Sequence, residues 1–310
     1  MARDAAAAIP APVLTLGSML TVQIGAALSV PLLDRIGTAA TAELRLLGAA
    51  IILLVIAPPR LSGQSRRSLG AALALGIATA FMTLCYYQAI ARLPMGMATT
   101  IDFLGPLAVA IAGSRRALDL LWALLAGTGV LLLAWNRVDG PGDALGLMFA
   151  AGAGLGWAAY IVLTKRVGTT FRGVQGLSVS LLVAALAASP VTLTVIALHH
   201  QTLPASPTDL MIDVGFAAML ALPATVLPFA LEMAALRRLA AWQFGILMSA
   251  EPAISALCGY ALLEQRLCVL QIAGVAAVSI ASAGVVIASR PRTGRAAAAT
   301  VSVCGGGTDD

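Results

Sequence analysis

Ten apolar runs, each long enough to cross a lipid bilayer, leave this chain few ways to fold. They cover residues 13–33, 41–57, 69–90, 96–112, 117–135, 144–163, 176–198, 214–236, 242–263 and 269–288. The hydrocarbon core of a bilayer is about 30 Å thick, so about 20 helical residues span it. In oil every backbone N–H and C=O must pair within its own segment, and these runs are too long for the tilted strands of a barrel. Helices are the only workable structure. Charge agrees: 11% of the 310 residues are charged and 60% apolar, whereas a soluble domain carries about 25% charge. The expected fold class is an all-α integral membrane protein with ten transmembrane helices.

The first run is too long for the apolar region of a secretory signal, and no clear small-residue cleavage site follows it, so it reads as a retained helix. Residues 1–12 form a short leading segment. Residues 290–310, with three arginines, an alanine run and a triple glycine, read as a disordered tail. The net charge of +5 comes from eighteen arginines and one lysine, and their places give an orientation. With the N terminus in the cytoplasm, fourteen fall in cytoplasmic segments and four (Arg35, Arg92, Arg137, Arg266) on the other side. Arginine and lysine collect in cytoplasmic loops, so both termini are expected inside. The same scatter over short loops argues against nucleic acid as a partner.

An internal repeat is visible. A shift of 146 residues lays Ala89, Arg92, Leu93, Pro106 and Ala110 over Ala235, Arg238, Leu239, Pro252 and Ala256. Two five-helix halves follow, residues 13–138 and 139–289. Five is odd, so the second half enters the membrane inverted, an arrangement that secondary transporters use to build a midplane site between repeats.

An ionisable group at the bilayer centre costs about 2.5–3.5 kcal/mol, so depth selects candidates. Asp102 and Glu251 lie near the middle of the fourth and ninth runs, beside the matched prolines. Pro106 cannot donate to the Asp102 carbonyl, nor Pro252 to that of Met248. Each carboxyl group therefore stands beside free backbone acceptors, which a hydrated transport path would satisfy. The two acids read either as protonated packing groups or as a proton-titrating or amine-binding pair. Glu232 shares a helical face with Thr225 and Pro228; it is either functional or paired with Arg237 and Arg238. With Pro223 added, the eighth helix is expected to be broken. Arg45 cannot reach Glu43, because residues two apart do not face each other on a helix. It either binds a carboxylate of substrate or protein or snorkels to the surface. Tyr86 and Trp157 are candidate cavity-lining residues. Gly152 and Gly156 form a small-residue packing stripe.

Enzyme chemistry is poorly supplied. The histidines, His199 and His200, share one loop and can build no metal cluster within the membrane. No phosphate-binding loop of the ATPase type is present. The four cysteines (Cys85, Cys258, Cys268, Cys304) form no CxxC pair. Neither metal nor cofactor is expected.

Several segments resemble the EamA-type drug/metabolite transporter superfamily, and within it the bacterial threonine/homoserine exporters. They are Phe103 to Val109 (FLGPLAV), Ser114 to Trp122 (SRRALDLLW) and Leu227 to Ala253 (LPFALEMAALRRLAAWQFGILMSAEPA). The resemblance implies export of small amino acids or related metabolites across the bacterial cytoplasmic membrane, driven by protons. It places Glu232 on the family's L-E-M motif, Glu251 and Pro252 on its E-P motif, and Arg45 on an arginine usual in the second helix. Two departures stand out: Asp102 replaces a glutamate, and Glu264–Gln265 replaces Gly–Glu. Export of another metabolite or drug is the alternative, and a lipid scramblase or membrane scaffold is the alternative outside transport. Oligomeric state is left open.

Overall fold

The computed structural model describes residues 10–59, 64–112, 118–134, 141–171, 175–199, 206–236 and 247–288. Regular structure among them is entirely helical. In chain order the helices are α1 (Ala11–Ile36), α2 (Thr38–Ile56), α3 (Arg66–Ile90), α4 (Met95–Asp102), α5 (Leu104–Ala112), α6 (Leu118–Ala134), α7 (Pro141–Thr170) and α8 (Gln175–His199). Then come α9 (Pro207–Ala221), a π-helical turn (Leu222–Val226), α10 (Leu227–Leu236), α11 (Glu251–Leu263) and α12 (Val269–Ala288). Among the described residues six stretches are long and apolar enough to cross a membrane: α1, α2, α3, Ala144–Gly168, Gln175–Leu198 and the continuous Pro207–Glu232. Met95–Val109, Glu251–Leu263 and Val269–Ala281 are shorter apolar helices. The leading nine residues, the tail from 289, and residues 237–246 of the ninth run with its flank lie outside the described residues.

The surface is inverted relative to a soluble protein. Large apolar side chains face outward, with Val55 77% and Leu155 70% exposed, while Thr15, Ser18, Thr41, Thr100 and Ser255 are fully buried. Lipid gives helices no hydrophobic reason to associate, so close contact through small residues does that work. Buried hydroxyls are mostly satisfied locally: Thr41 donates to the Gly37 carbonyl at 2.8 Å and Thr79 to that of Leu75 at 2.8 Å. The stripe of Gly152 and Gly156 lies on α3, against Cys85 and Met82. Gly37, at φ 82°, turns α1 directly into α2; a side chain would strain that left-handed angle.

Three of the expected spans depart from simple helices, the ninth through a turn at residues 249–250 just before α11. The fourth stops at Asp102 and resumes at Leu104, because Pro106 has no N–H to offer the Asp102 carbonyl. There α7 crosses so closely that a Cβ on Gly105 would strike the Gly154 carbonyl, and one on Gly154 would stand 2.7 Å from the Asp102 carbonyl. The eighth is not broken, contrary to expectation. The chain continues through the π-helical turn, where the Leu227 N–H reaches the Leu222 carbonyl. One residue of extra winding lets Pro223 and Pro228 fit without parting the helix. Pro252 sits in the first turn of α11, where a missing N–H costs no hydrogen bond.

The Glu264–Gln265 departure has a backbone explanation. Glu264 ends α11 in the left-handed region, at φ 54° and ψ 22°, with the Gln265 N–H donating to the Gly259 carbonyl at 3.1 Å. Glycine adopts that cap freely, whereas an L side chain costs about 1–2 kcal/mol there. Gln265 then binds the start of α4, its Oε1 accepting from the Met95 N–H at 2.8 Å. Glu264→Gly is expected to raise the apparent unfolding temperature in detergent, by an amount equivalent to about 1 kcal/mol. An unchanged or lower temperature contradicts this account of the cap.

Helix packing sets the frame for the site. Helix α1 lies against α10 and α11, α2 against α8 and α9, α3 against α7 and α8, and α4 against α7 and α11. The polar faces of α1, α3, α4 and α11 thereby meet, and α2 approaches the π-helical turn.

Candidate functional site

Asp102 and Glu251 are both inside the protein, 6% and 5% exposed, and neither faces lipid. Glu251 begins α11, and its Oε1 accepts a hydrogen bond from the Gln23 side-chain amide of α1 at 3.2 Å. The donors behind it form a directed chain. The Tyr86 hydroxyl of α3 donates to Gln23 Oε1 at 3.5 Å. Tyr86 and Thr99 of α4 share a hydrogen bond at 2.9 Å, and the Ser255 hydroxyl of α11 donates to Thr99 at 2.8 Å. With Tyr86 already donating to Gln23, Thr99 is left as the donor to Tyr86. Every hydrogen in the series then points toward Glu251, so each bond polarises the next. Four helices are tied to one carboxyl group.

Asp102 closes α4 next to this series. Its Oδ1 is buried without a hydrogen-bond partner, as is the Oε2 of Glu251. Glu232, on α10, accepts from the Ser18 hydroxyl at 3.2 Å, and the same hydroxyl approaches the Pro228 carbonyl at 3.1 Å. Arg237 and Arg238, its expected ion-pair partners, lie outside the described residues. Glu251 is within electrostatic reach of both Glu232 and Asp102, so three acids share one region.

Arg45 does not snorkel. It is 6% exposed, and its Nη2 donates to the Ala224 carbonyl at 2.5 Å and to Thr225 Oγ1 at 2.9 Å, both in the π-helical turn. The Tyr87 ring lies under the guanidinium, 5.2 Å from its centroid, a cation–π contact that fixes its plane. No described carboxylate lies within ion-pair distance of Arg45, and its Nε is buried with no acceptor. The Tyr86 hydroxyl lies within electrostatic reach of Arg45, Asp102 and Glu251 alike. Among the described residues Arg45 has no carboxylate partner, and Arg45 Nε, Asp102 Oδ1 and Glu251 Oε2 all have hydrogen-bonding capacity to spare.

Not every expected residue joins this region. Trp157 stands edge-on to Phe103, ring centroids 5.6 Å apart at 75°, within an apolar cluster that includes Met19 and Met248. Among the prolines, Pro228 and Pro223 bound the part of the chain that faces Arg45, Pro106 follows Asp102, and Pro252 follows Glu251. Gln23, Thr99 and Ser255 were not singled out by sequence, and Thr225 was noted only for sharing a face with Glu232. Gln23 alone carried a signal, as a bulky polar group in the middle of an apolar run.

Open space lies at one end of the bundle. A cleft of about 300 Å³ is lined by Val30, Leu33, Asp34, Arg92, Leu93 and Gln265, among others. Near it Arg35, 51% exposed, pairs with buried Asp213 of α9 at 3.2 Å, tying the end of α1 to the first half of α9.

Comparison with known proteins places this geometry. The threonine/homoserine exporter RhtA of Escherichia coli (strain K12) is 35% identical over 276 residues, covering 88% of this chain and 90% of the relative. RhtA of Salmonella typhimurium (strain LT2) is 35% identical over 271 residues, covering 86% of this chain and 88% of the relative. A solved crystal structure 17% identical in sequence superposes with a TM-score of 0.59 over 91% of this chain and 100% of its own, which shows a shared fold. The EamA-like transporter family model matches residues 144–287. With relatives this similar over nearly their whole length, the chain is a membrane transporter, not an enzyme, and belongs to the EamA-like transporter family.

Proposed function

We propose that this protein exports small amino acids of the threonine and homoserine class across the bacterial cytoplasmic membrane, coupled to protons, by alternating access. The observation that supports the reading is Arg45: a buried guanidinium with no carboxylate partner among the described residues, and within electrostatic reach of the Tyr86 hydroxyl that Asp102 and Glu251 also reach. A free amino acid brings one carboxylate and one ammonium group, and this region offers a counterpart to each. Arg45 takes the carboxylate. Asp102 and Glu251 take the amine or, when no substrate is present, a proton. Exchange of one cation for the other at the same acids links export to proton entry, since a buried acid is costly with neither. Glu232, hydrogen-bonded to Ser18, is a second proton-accepting position.

In this reading the helices form ten spans in two inverted repeats, residues 13–138 and 139–289, with both termini cytoplasmic. Helices α4 and α5 count as one span, as does α9 with the π-helical turn and α10. The repeats rock about the acids, and the cleft beside Asp34 and Arg92 is the outer mouth, held narrow by the Arg35–Asp213 pair. Purified protein in liposomes, under an imposed pH gradient and scanned against labelled amino acids, tests the proposal. Threonine or homoserine flux that follows the proton gradient is expected; no movement of any amino acid by folded protein overturns it. Asp102 favours a second reading, because a side chain one methylene shorter leaves room for a bulkier metabolite or drug. Adding such compounds as competitors to the same assay separates the two.

A further inference from the structure

Arg45 spends its hydrogen bonds on an unusual acceptor. In an α-helical ladder the Ala224 carbonyl would receive the N–H of residue 228, but that residue is Pro228 and has none. The carbonyl instead accepts from Arg45 Nη2. Thr225 adds its hydroxyl oxygen at 2.9 Å. The turn is held in place from the other side by α1, which passes so close that a Cβ on Gly25 would overlap Ala224. Two proline-bounded residues thus present neutral oxygens to a buried cation.

Those oxygens do not match what the guanidinium can hold. Nε–H and Nη2–H lie along one edge of the fork and suit the two oxygens of a carboxylate. Here Nη2 is occupied, while Nε, on the same edge, is buried without an acceptor. A single carbonyl oxygen cannot serve both, whereas a carboxylate serves both and makes the stronger, charge-assisted bonds.

We infer that the Ala224 carbonyl, to which Pro228 can offer no N–H, is a stand-in acceptor that holds Arg45 between substrates and is displaced by an incoming carboxylate. Pro228 and Thr225 are therefore positioning residues that set how tightly carboxylate ligands bind and how readily they leave. The inference rests on the reading that Arg45 binds a carboxylate. The stand-in competes with ligand, so it lowers apparent affinity by the fraction of time Arg45 is engaged. It also supplies the partner that Arg45 needs when ligand departs.

The test uses full-length protein and three probes: threonine, 3-hydroxybutyrate (the same molecule without its amine) and 1-amino-2-propanol (without its carboxylate). Pro228→Ala restores an N–H for the Ala224 carbonyl, and Thr225→Val removes the hydroxyl acceptor with little change of shape. Both variants are expected to bind threonine and 3-hydroxybutyrate more tightly, about threefold or more for Pro228→Ala. Binding of 1-amino-2-propanol is expected to stay unchanged, and maximal transport to slow. In an Arg45→Gln background the tightening should vanish. A merely structural role for the proline would not lower Kd for carboxylates alone.

Unchanged or weaker carboxylate binding in both variants, or an equal shift for all three probes, overturns the inference. If Pro228→Ala does not fold, Thr225→Val carries the test. A wild type that moves no amino acid but binds 3-hydroxybutyrate through Arg45, more tightly in the variants, would end the amino-acid reading and leave the stand-in intact. If it binds neither through Arg45, the inference fails with its premise.

Discussion

Arg45→Gln is expected to reduce amino-acid flux in liposomes by at least about 30-fold while leaving the protein folded. Truncating one partner of a buried, hydrogen-bonded charge pair costs about 2–5 kcal/mol, and each 1.4 kcal/mol is about tenfold. The fold survives because a glutamine amide can still donate toward the π-helical turn, where Arg45 now bonds to Ala224 and Thr225, and because it removes a buried charge that has no carboxylate partner among the described residues. Arg45→Lys keeps the charge but loses the planar fork, so it should recover only part of the flux. Size-exclusion profiles report the fold and labelled threonine uptake reports the flux. Wild-type flux in the glutamine variant would remove Arg45 from the substrate path.

Glu251→Gln and Asp102→Asn carry the second large effect. A glutamine at 251 can still accept from Gln23, whose amide now bonds Glu251 Oε1 at 3.2 Å, so the tie between α1 and α11 should persist. What is lost is the capacity to exchange a proton. Each variant is expected to lower flux by about tenfold or more, an amount in keeping with loss of one charge-assisted contact, and Glu251→Gln is expected to make the remaining flux indifferent to an imposed pH gradient. If both variants keep wild-type rate and wild-type response to pH, the acids are packing groups and proton coupling has no carrier among them.

Much of this was legible in the sequence because oil is a severe solvent. Depth alone picked out Asp102 and Glu251, and both are buried, as is Arg45, whose place near a helix end left snorkelling open. The partners were a different matter. Arg45 bonds a backbone carbonyl 179 residues away, and a backbone acceptor leaves no mark in residue type. The hydroxyl of Thr99 belongs to the Glu251 series, while its neighbour Thr100 bonds the Gly96 carbonyl one turn back on its own helix. Sequence cannot separate the two, since a threonine in a helix has the same local option in either case. Gln23 escaped a filter tuned to ionisable groups. The prolines of the eighth run signalled a disturbed helix, but a break and a π-helical turn begin from the same missing N–H groups. Asp102 ends its helix for a reason that was readable in Pro106; the crossing of Gly105 and Gly154 that supports the interruption was not.

One measurement bears on the whole account, the accessibility of Ser255. It is fully buried and hydrogen-bonded to Thr99, between α11 and α4, which the proposed reading puts in opposite repeats. With the four native cysteines replaced and Ser255→Cys introduced, a membrane-impermeant thiol reagent is applied to either face of oriented vesicles. Alternating access predicts labelling from both faces, slowed by threonine from both. A cysteine that reacts from neither face while transport continues, or from one face only and without protection by substrate, would mean that no path through the bundle passes the site.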